Sequence, residues 1–189
     1  MTYFRWLAVG ATAMGSLVAF PRKAHALGPL EAEIAARAGV GITSDIRVNP
    51  LGFGIGARGG VDLDRLYAGL DVAYYLGETK DCESCSAPPG AQLPRATGSA
   101  LLYGLEAGYN AKASTVTIRP QLGLGAITLI FSGVNAGSPT YFYVAPGVAV
   151  LVGLGTYFVG ADAAALVMAT GGPSFDGALT ASGQVGVKF

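Results

Sequence analysis

Apolar and non-apolar residues alternate along most of this chain, and the last segment shows the pattern most plainly. In residues 179–189, "LTASGQVGVKF", the apolar set is Leu179, Ala181, Val185, Val187 and Phe189. Between them stand Thr180, Ser182, Gln184 and Lys188. Successive side chains of a β-strand point to opposite faces, so this period of two predicts a strand with one apolar and one polar face.

The same period recurs upstream. Six further segments alternate in this way: residues 31–42, 51–61, 66–76, 101–110, 115–127 and 156–168. Residues 141–152 are apolar at both parities, and no charged residue occurs between positions 120 and 161, so a helical membrane span is an alternative there. Gly147, Gly153 and Pro146 interrupt that stretch, and its Val and Tyr content favours a strand.

The spacing of these eight segments predicts a transmembrane barrel. Each is long enough to cross a bilayer as a tilted strand. Their links alternate between longer and tighter connections: 43–50, 62–65, 78–99, 110–114, 131–140, 153–155 and 170–177. Short turns on one side and longer loops on the other are typical of membrane barrels. We therefore predict an all-β fold, an eight-stranded antiparallel up-and-down transmembrane β-barrel preceded by a cleavable signal peptide.

The N-terminal residues have the features of an export signal. Arg5 supplies a positive charge, residues 6–20 are apolar, and Ala24 and Ala26 flank His25 as a small-x-small cleavage site. The prediction is a signal peptide over residues 1–26 and a barrel domain over 27–189. An uncleaved membrane anchor is the alternative.

Composition decides which face of the barrel meets lipid. Charged residues make up 13% of the chain, apolar residues 51%, and Gly contributes 29 of 189 positions. A soluble barrel would present a surface dense in charge. Here the non-apolar face is mainly Gly, Ser, Thr and single charges, which suits a narrow interior, while the apolar face suits lipid. The formal net charge of zero gives no indication of nucleic-acid binding.

The single charges of the inward parity form a candidate network. Four are acids, Glu33, Asp71, Glu106 and Asp162, and four are bases, Arg37, Arg58, Arg119 and Lys188. Buried charges are costly unless paired, so we predict an interior network of salt bridges. Eight strands enclose a space that side chains fill, which favours a static plug over an ion path. Inward glycines, such as Gly54 and Gly104, leave some free volume in the interior. A narrow pore is therefore the alternative to a plug.

Two further residue sets lead to predictions about the longest link and the membrane interfaces. Cys82 and Cys85 form "CESC" in the longest link, and export favours a local disulfide between them, with redox, metal-binding or free thiols as alternatives. Eight tyrosines lie mostly near predicted strand ends, where aromatic girdles meet the membrane interfaces. They are Tyr67, Tyr74, Tyr75, Tyr103, Tyr109, Tyr141, Tyr143 and Tyr157.

The chain resembles the small outer-membrane β-barrels of Gram-negative bacteria, namely the barrel domain of outer membrane protein A and the outer membrane protein X group. The most specific mark is the last strand, with Val185 and Val187 before a terminal Phe189. The resemblance implies insertion by the barrel-assembly machinery, which reads such a strand, and contact with outer-membrane lipid and lipopolysaccharide. Pro120 and Pro146 depart from the pattern and predict local bulges or edges.

No catalytic site is predicted. Some outer-membrane barrels act on lipid A with a His, but the one histidine here, His25, lies in the predicted signal peptide. A Ser-His-Asp triad or a His-ligated metal site therefore has no imidazole in the barrel domain, and we expect neither a cofactor nor enzymatic activity. Two functions remain: a structural or surface-interaction barrel acting through its extracellular loops, and a narrow pore for small solutes.

Overall fold

The computed structural model describes residues 30–43, 49–81, 95–133, 137–169 and 175–189. All secondary structure in these residues, apart from an isolated bridge at Gly137, is β-strand. The strands are β1 Leu30–Thr43, β2 Phe53–Leu63, β3 Leu66–Asp81, β4 Arg95–Tyr109, β5 Ala111–Ala113, β6 Val116–Gly133, β7 Thr140–Leu154, β8 Tyr157–Ala169 and β9 Phe175–Lys188. Among these residues no helix is long and apolar enough to cross a membrane, which bears on helical spans alone.

The strands close into a barrel. Apart from β4 and β5, which both pair with β6, each strand pairs antiparallel with its neighbour in sequence, and β1 pairs with β9, so that no sheet edge is left between the first and the last strand. β4 and β5 pair with β6 in one continuous register, from Gly108 opposite Gln121 to Ala111 opposite Ile118. They therefore form one barrel strand interrupted at Asn110, and the predicted eight-stranded up-and-down barrel is confirmed.

The two ends of the barrel differ. One end, here called the turn end, has two-residue turns at 64–65, 114–115 and 155–156 and also holds the start of β1 and the end of β9. Asp64, Ser114 and Gly155 adopt positive φ, as tight hairpin turns require. The opposite end, the loop end, holds the longer links 44–52, 82–94, 134–139 and 170–174.

The outer face of the barrel is apolar. Large side chains such as Leu70 on β3 and Leu105 on β4 are exposed along the middle of the strands. Among the described strand residues, charge on this face is confined to the loop-end rim, for example at Arg95. A barrel that is apolar outside and carries its other charges inside reverses the arrangement of a soluble protein and suits a lipid environment.

The predicted bulges at the prolines are wrong. Pro120 and Pro146 both point outward and interrupt ladder pairing, yet the register on either side is unchanged. Proline removes one hydrogen-bond donor, but here the pleat continues past the gap. The register shift in the barrel lies instead between Leu76 and Thr79 on β3.

The barrel interior as the candidate functional site

Arg119 on β6 is the centre of an ionic group near the turn end. Its Nη1 and Nη2 donate to the two carboxylate oxygens of Glu33 on β1, at 2.6 and 3.0 Å. Nη2 also donates to Asp62 on β2 at 3.2 Å, and Nε donates to Asn110 at 2.7 Å. A guanidinium that is 0% exposed thus has each of its three nitrogens satisfied, two of them in a bidentate pair with one carboxylate.

Lys188 completes this group, which we call the turn-end cluster: Glu33, Asp62, Arg119 and Lys188. The Lys188 Nζ lies 2.7 Å from Asp62 Oδ2 and 3.3 Å from Glu33 Oε2. Its side chain keeps 23% exposure, so it lies at the mouth while the other three are buried. Two cations face two carboxylates, and the contacts tie β9 to both β1 and β2.

A second ionic group, the central cluster, lies one layer further from the turn end. It consists of Arg37, Arg58, Asp71, Glu106 and Asp162. Arg37 donates through Nη1 to Asp71 and through Nη2 to Asp162 at 2.7 Å. Arg58 donates through Nη2 to Glu106 Oε1 at 2.9 Å, and its Nε lies 2.7 Å from Oε2. These contacts bridge β1 to β3 and β8, and β2 to β4.

Two polar side chains of the last strand support the central cluster. Ser182 Oγ accepts from Arg37 Nε at 3.2 Å and donates to Asp162 Oδ2 at 2.9 Å. Gln184 Oε1 accepts from Arg58 Nη1 at 3.4 Å. The inward face of β9 therefore accepts hydrogen bonds from both arginines of the central cluster.

Aromatic rings fill the space that the inward glycines leave. The Tyr67 ring packs over Gly60 and Gly69, and the Tyr75 ring packs over Gly54. Tyr67 also stacks on the Arg119 guanidinium, with 3.7 Å between Cζ and the ring centroid. The glycines are thus packing positions for larger neighbours, and the free volume expected from them is occupied.

These inward rings correct the girdle prediction. Tyr67, Tyr75 and Tyr143 are buried in the lumen because they share the parity of the interior charges. Tyr109 and Tyr157 do point outward near the turn end, where Phe189 is also exposed. Whether a tyrosine near a strand end points to the lumen or to the lipid therefore depends on its parity in the strand and not on its distance from the strand end.

The loop half of the lumen is apolar. We call the following buried residues the apolar layer: Leu51, Ala73, Tyr75, Ala100, Leu102, Ile127, Leu129, Tyr143, Ala145, Leu166, Met168 and Ala178. They come from β3, β4, β6, β7, β8 and β9, with Leu51 from the segment before β2. The predicted interior of small and charged residues describes the turn half and misses this layer.

The lumen is closed to water in all three layers. Arg119 is 0% exposed in the turn-end cluster, Arg58 is 1% exposed in the central cluster, and Ile127 is 0% exposed in the apolar layer. A water-filled path along the axis would expose side chains of this kind. Among the described residues, no three His, Cys, Asp or Glu side chains lie together in a way that could hold a metal ion.

The structure brings all eight sequence-predicted charges into the lumen, but in two separate clusters. The interior also contains Asp62, Asn110 and Tyr67, which the predicted network does not include. Tyr67 and Asn110 lie on the non-apolar parity of the predicted segments 66–76 and 101–110, whereas Asp62 was assigned to the link 62–65. Asp62 continues the inward parity of Arg58, so extending the parity count into that link would have found it.

The remaining site predictions fall into two groups. Cys82, Cys85, Ala24 and Ala26 lie outside the described residues. Val185 and Phe189 point outward, and Phe189 closes the seam by exchanging backbone hydrogen bonds with Ala32 at 2.8 and 2.9 Å. The terminal strand is thus placed at the β1–β9 seam, while its reading by an assembly machinery stays a prediction.

Comparison with known proteins gives relatives by structure alone. No protein-family model and no curated protein sequence matches the chain. Neisserial surface protein A aligns with a TM-score of 0.54 at 14% identity, covering 85% of this chain and 97% of its own. The N-terminal β-barrel domain of Pseudomonas aeruginosa OprF aligns with a TM-score of 0.55 at 16% identity, covering 84% and 97%.

A third solved structure is Ail, the attachment invasion locus protein of Yersinia pestis, in complex with the heparin analogue sucrose octasulfate. It aligns with a TM-score of 0.50 at 12% identity, covering 85% of this chain and 97% of its own. At these identities the likeness establishes the fold, and the chain has the fold of the small eight-stranded outer-membrane β-barrels.

Proposed function

We propose that this chain is an integral outer-membrane protein of a Gram-negative bacterium that neither conducts solutes nor catalyses a reaction, and that it acts at the cell surface through its loop end. The observation that carries the proposal is a filled lumen inside an outer face that is apolar up to the rim. The predicted signal peptide and the shared fold support export and the outer membrane.

A closed lumen favours this function over the narrow pore. Opening a path would require breaking ion pairs that each lie in a low-dielectric interior and separating the close-packed apolar layer. A pore would also need a hydrated path, whereas Ile127 and Leu129 are buried in the apolar layer. The charged side chains of the two clusters are paired with one another, as in a static plug.

The loop-end rim gives a first indication of partner chemistry. Lys80 lies 2.9 Å from Glu78, and Arg95 lies 3.0 Å from Asp81, so these two rim pairs are balanced in charge, and Asp176 near the start of β9 adds one acid. Ail is solved with a sulfated heparin analogue. A rim without an excess of positive charge does not favour such a polyanion here. Exposed hydroxyls, such as the Thr79–Thr97 pair at 2.9 Å, suit the sugars of lipopolysaccharide or a neutral partner surface.

Conductance in planar bilayers tests the central claim. The mature chain, folded in detergent and checked by its heat-modifiable gel mobility, is expected to give no stable channels. Arg58→Gln and Ile127→Ala serve as variants that disturb the central cluster and the apolar layer respectively. Stable wild-type conductance whose ion selectivity changes in Arg58→Gln would refute the static plug and support the pore.

Thiol labelling of intact cells tests location and orientation. After mild reduction, a membrane-impermeant maleimide is expected to label Cys82 and Cys85 in the 82–94 link from outside. The matched control replaces both by Ser and adds Lys112→Cys, an exposed position at the turn end. Labelling of Lys112→Cys in intact cells, with protection of the native cysteines, would place the loop end inside and refute the proposed orientation. Labelling without reductant would refute the predicted disulfide.

The proposed assembly signal has its own comparison. Phe189→Ala is expected to lower the amount of folded protein in the outer membrane, with unfolded chain accumulating in the periplasm. Phe142→Ala removes another exposed aromatic ring, at the other end of the barrel, and is expected to leave the yield unchanged. Equal yields from the two variants would contradict a special role for the terminal residue.

A further inference from the structure

The two ionic clusters of the lumen differ in charge balance. The turn-end cluster pairs two cations with two carboxylates. The central cluster sets two guanidiniums, Arg37 and Arg58, against three carboxyl groups, Asp71, Glu106 and Asp162. Arg37 is shared between two carboxyl groups, whereas Arg58 is engaged with one.

No other described side chain around the central cluster supplies a compensating charge. Tyr67 and Tyr75 from β3 and Tyr143 from β7 face it with neutral phenols. β9 contributes the neutral side chains Ser182 and Gln184. Arg119 on β6 is already engaged by the two carboxylates of the turn-end cluster. With all three carboxyl groups ionised, the cluster would carry one uncompensated negative charge.

The cluster is also enclosed from both ends. Side chains of its three ion pairs are at most 10% exposed. The turn-end cluster lies on one side, the apolar layer lies on the other, and the apolar outer face surrounds the strands. A counterion from solution would have to cross one of these layers. An isolated buried charge is costly enough that such groups neutralise by changing their protonation.

We propose that the central cluster retains one proton at neutral pH, so that two guanidiniums face two carboxylates and one carboxylic acid. The proton belongs to the three carboxyl groups jointly, because strongly interacting sites titrate as a unit. Replacing any one of the three by its amide leaves two cations facing two carboxylates, which removes the reason to hold the proton.

The proton has a consequence for stability. Carboxyl groups of an unfolded chain lose their protons near about pH 4, so the folded protein binds one proton more than the unfolded chain at neutral pH. Stability must then fall as pH rises, until the folded cluster itself loses the proton. Across that range the equilibrium constant for folding decreases about tenfold per pH unit.

Infrared spectroscopy of the folded full-length mature chain in detergent tests the proposal directly. A protonated carboxylic acid has a C=O stretching band that is separate from those of carboxylates and shifts in deuterated water. The wild type is expected to show this band at neutral pH. Each of Asp71→Asn, Glu106→Gln and Asp162→Asn is expected to lack it, while Asp62→Asn in the turn-end cluster and Asp81→Asn at the exposed rim keep it.

The wild-type spectrum decides the matter even where a variant does not fold, because absence of the band at neutral pH overturns the proposal. Persistence of the band in all three central variants, or its loss in only one of them, also overturns it. A second measurement is the urea-unfolding equilibrium in detergent between about pH 6 and pH 8. The tenfold decrease per pH unit is expected in the wild type and absent from Asp71→Asn, and a flat wild-type profile contradicts the proton.

Discussion

The two halves of the lumen are built on the same inward parity of the same strands, yet they exclude water by different means. The turn half does so with ion pairs, and the single guanidinium of Arg119 contacts Glu33, Asp62 and Asn110. The loop half does so with an apolar layer in which Ile127 and Leu166 are buried. Both halves are closed, so a polar lumen and a closed lumen are separate properties of this barrel.

This difference predicts how a substitution in each half of the lumen destabilises the barrel. Removing one partner from a buried ion pair leaves a charge without compensation, and no local relaxation repairs this. Removing methyl groups from the apolar layer leaves a cavity that neighbours partly fill. The ionic half should therefore be the more sensitive to single substitutions, although ion pairs add less net stability than apolar packing when both partners are replaced together.

The largest effect is expected from Arg119→Met. The substitution keeps much of the side-chain volume but leaves Glu33 and Asp62 with only Lys188, at the mouth of the lumen, as a cation. Breaking a buried pair from one side typically costs about 3–5 kcal/mol. Urea unfolding in detergent, followed by circular dichroism and by gel mobility, measures the loss.

The control for Arg119→Met is the double variant Arg119→Met with Glu33→Gln. It removes one charge of each sign and leaves Asp62 paired with Lys188, so it is expected to recover part of the loss. A single variant that loses less than about 1 kcal/mol would show that water or a counterion reaches the turn-end cluster, and that the turn half is open.

Ile127→Ala comes next and tests the apolar layer. Truncating a buried Ile costs about 2–5 kcal/mol through lost burial and a residual cavity. Ile118→Ala is the matched control on the same strand, because Ile118 points outward and detergent or lipid replaces its contacts. Equal losses from both variants would contradict a packed loop half.

Much of this architecture could be predicted from the sequence, because one rule, alternation, separates the faces wherever they differ in polarity. Arg37 and Asp71 stand out against apolar neighbours, so their faces were predicted directly. Leu102 and Ile127 lie on the inward parity next to outward residues that are equally apolar, so the alternation carries no signal there. For that reason the apolar layer could not be predicted from the pattern of apolar and polar residues.

The pairing within the lumen could not be predicted either. Which carboxylate meets which guanidinium depends on the register and the tilt of strands across the barrel, as between Glu33 and Arg119. Asp62 was not predicted as an interior residue because the predicted link began at position 62, whereas β2 continues to Leu63. A strand end that carries an inward charge cannot be told from a polar turn by composition, and it can be recognised only by continuing the parity count.

The adjacent glycines Gly59 and Gly60 differ in the space around them. Gly60 points inward, where an added methyl group would lie 2.7 Å from the Ala68 carbonyl oxygen and against the Tyr67 ring. Gly59 points outward, with its nearest neighbour 3.9 Å away. Gly60→Ala is expected to cost about 1–3 kcal/mol by overpacking, and Gly59→Ala to be neutral or slightly stabilising. Thermal or urea unfolding of the two variants checks this, and a neutral Gly60→Ala would show that Tyr67 can move.

The smallest effect is expected at the rim, where Arg95 and Asp81 form the same kind of pair as Arg119 and Glu33. Their Nε–Oδ1 distance is 3.0 Å, but the side chains are 69% and 55% exposed. Water already solvates both charges, so Asp81→Asn is expected to change the unfolding free energy by less than about 0.5 kcal/mol and to become undetectable in high salt. Arg119→Met, by contrast, should be little affected by salt. A loss above about 1 kcal/mol in Asp81→Asn would mean that residues 82–94 cover the rim pair, and the contrast between lumen and rim would then be one of degree.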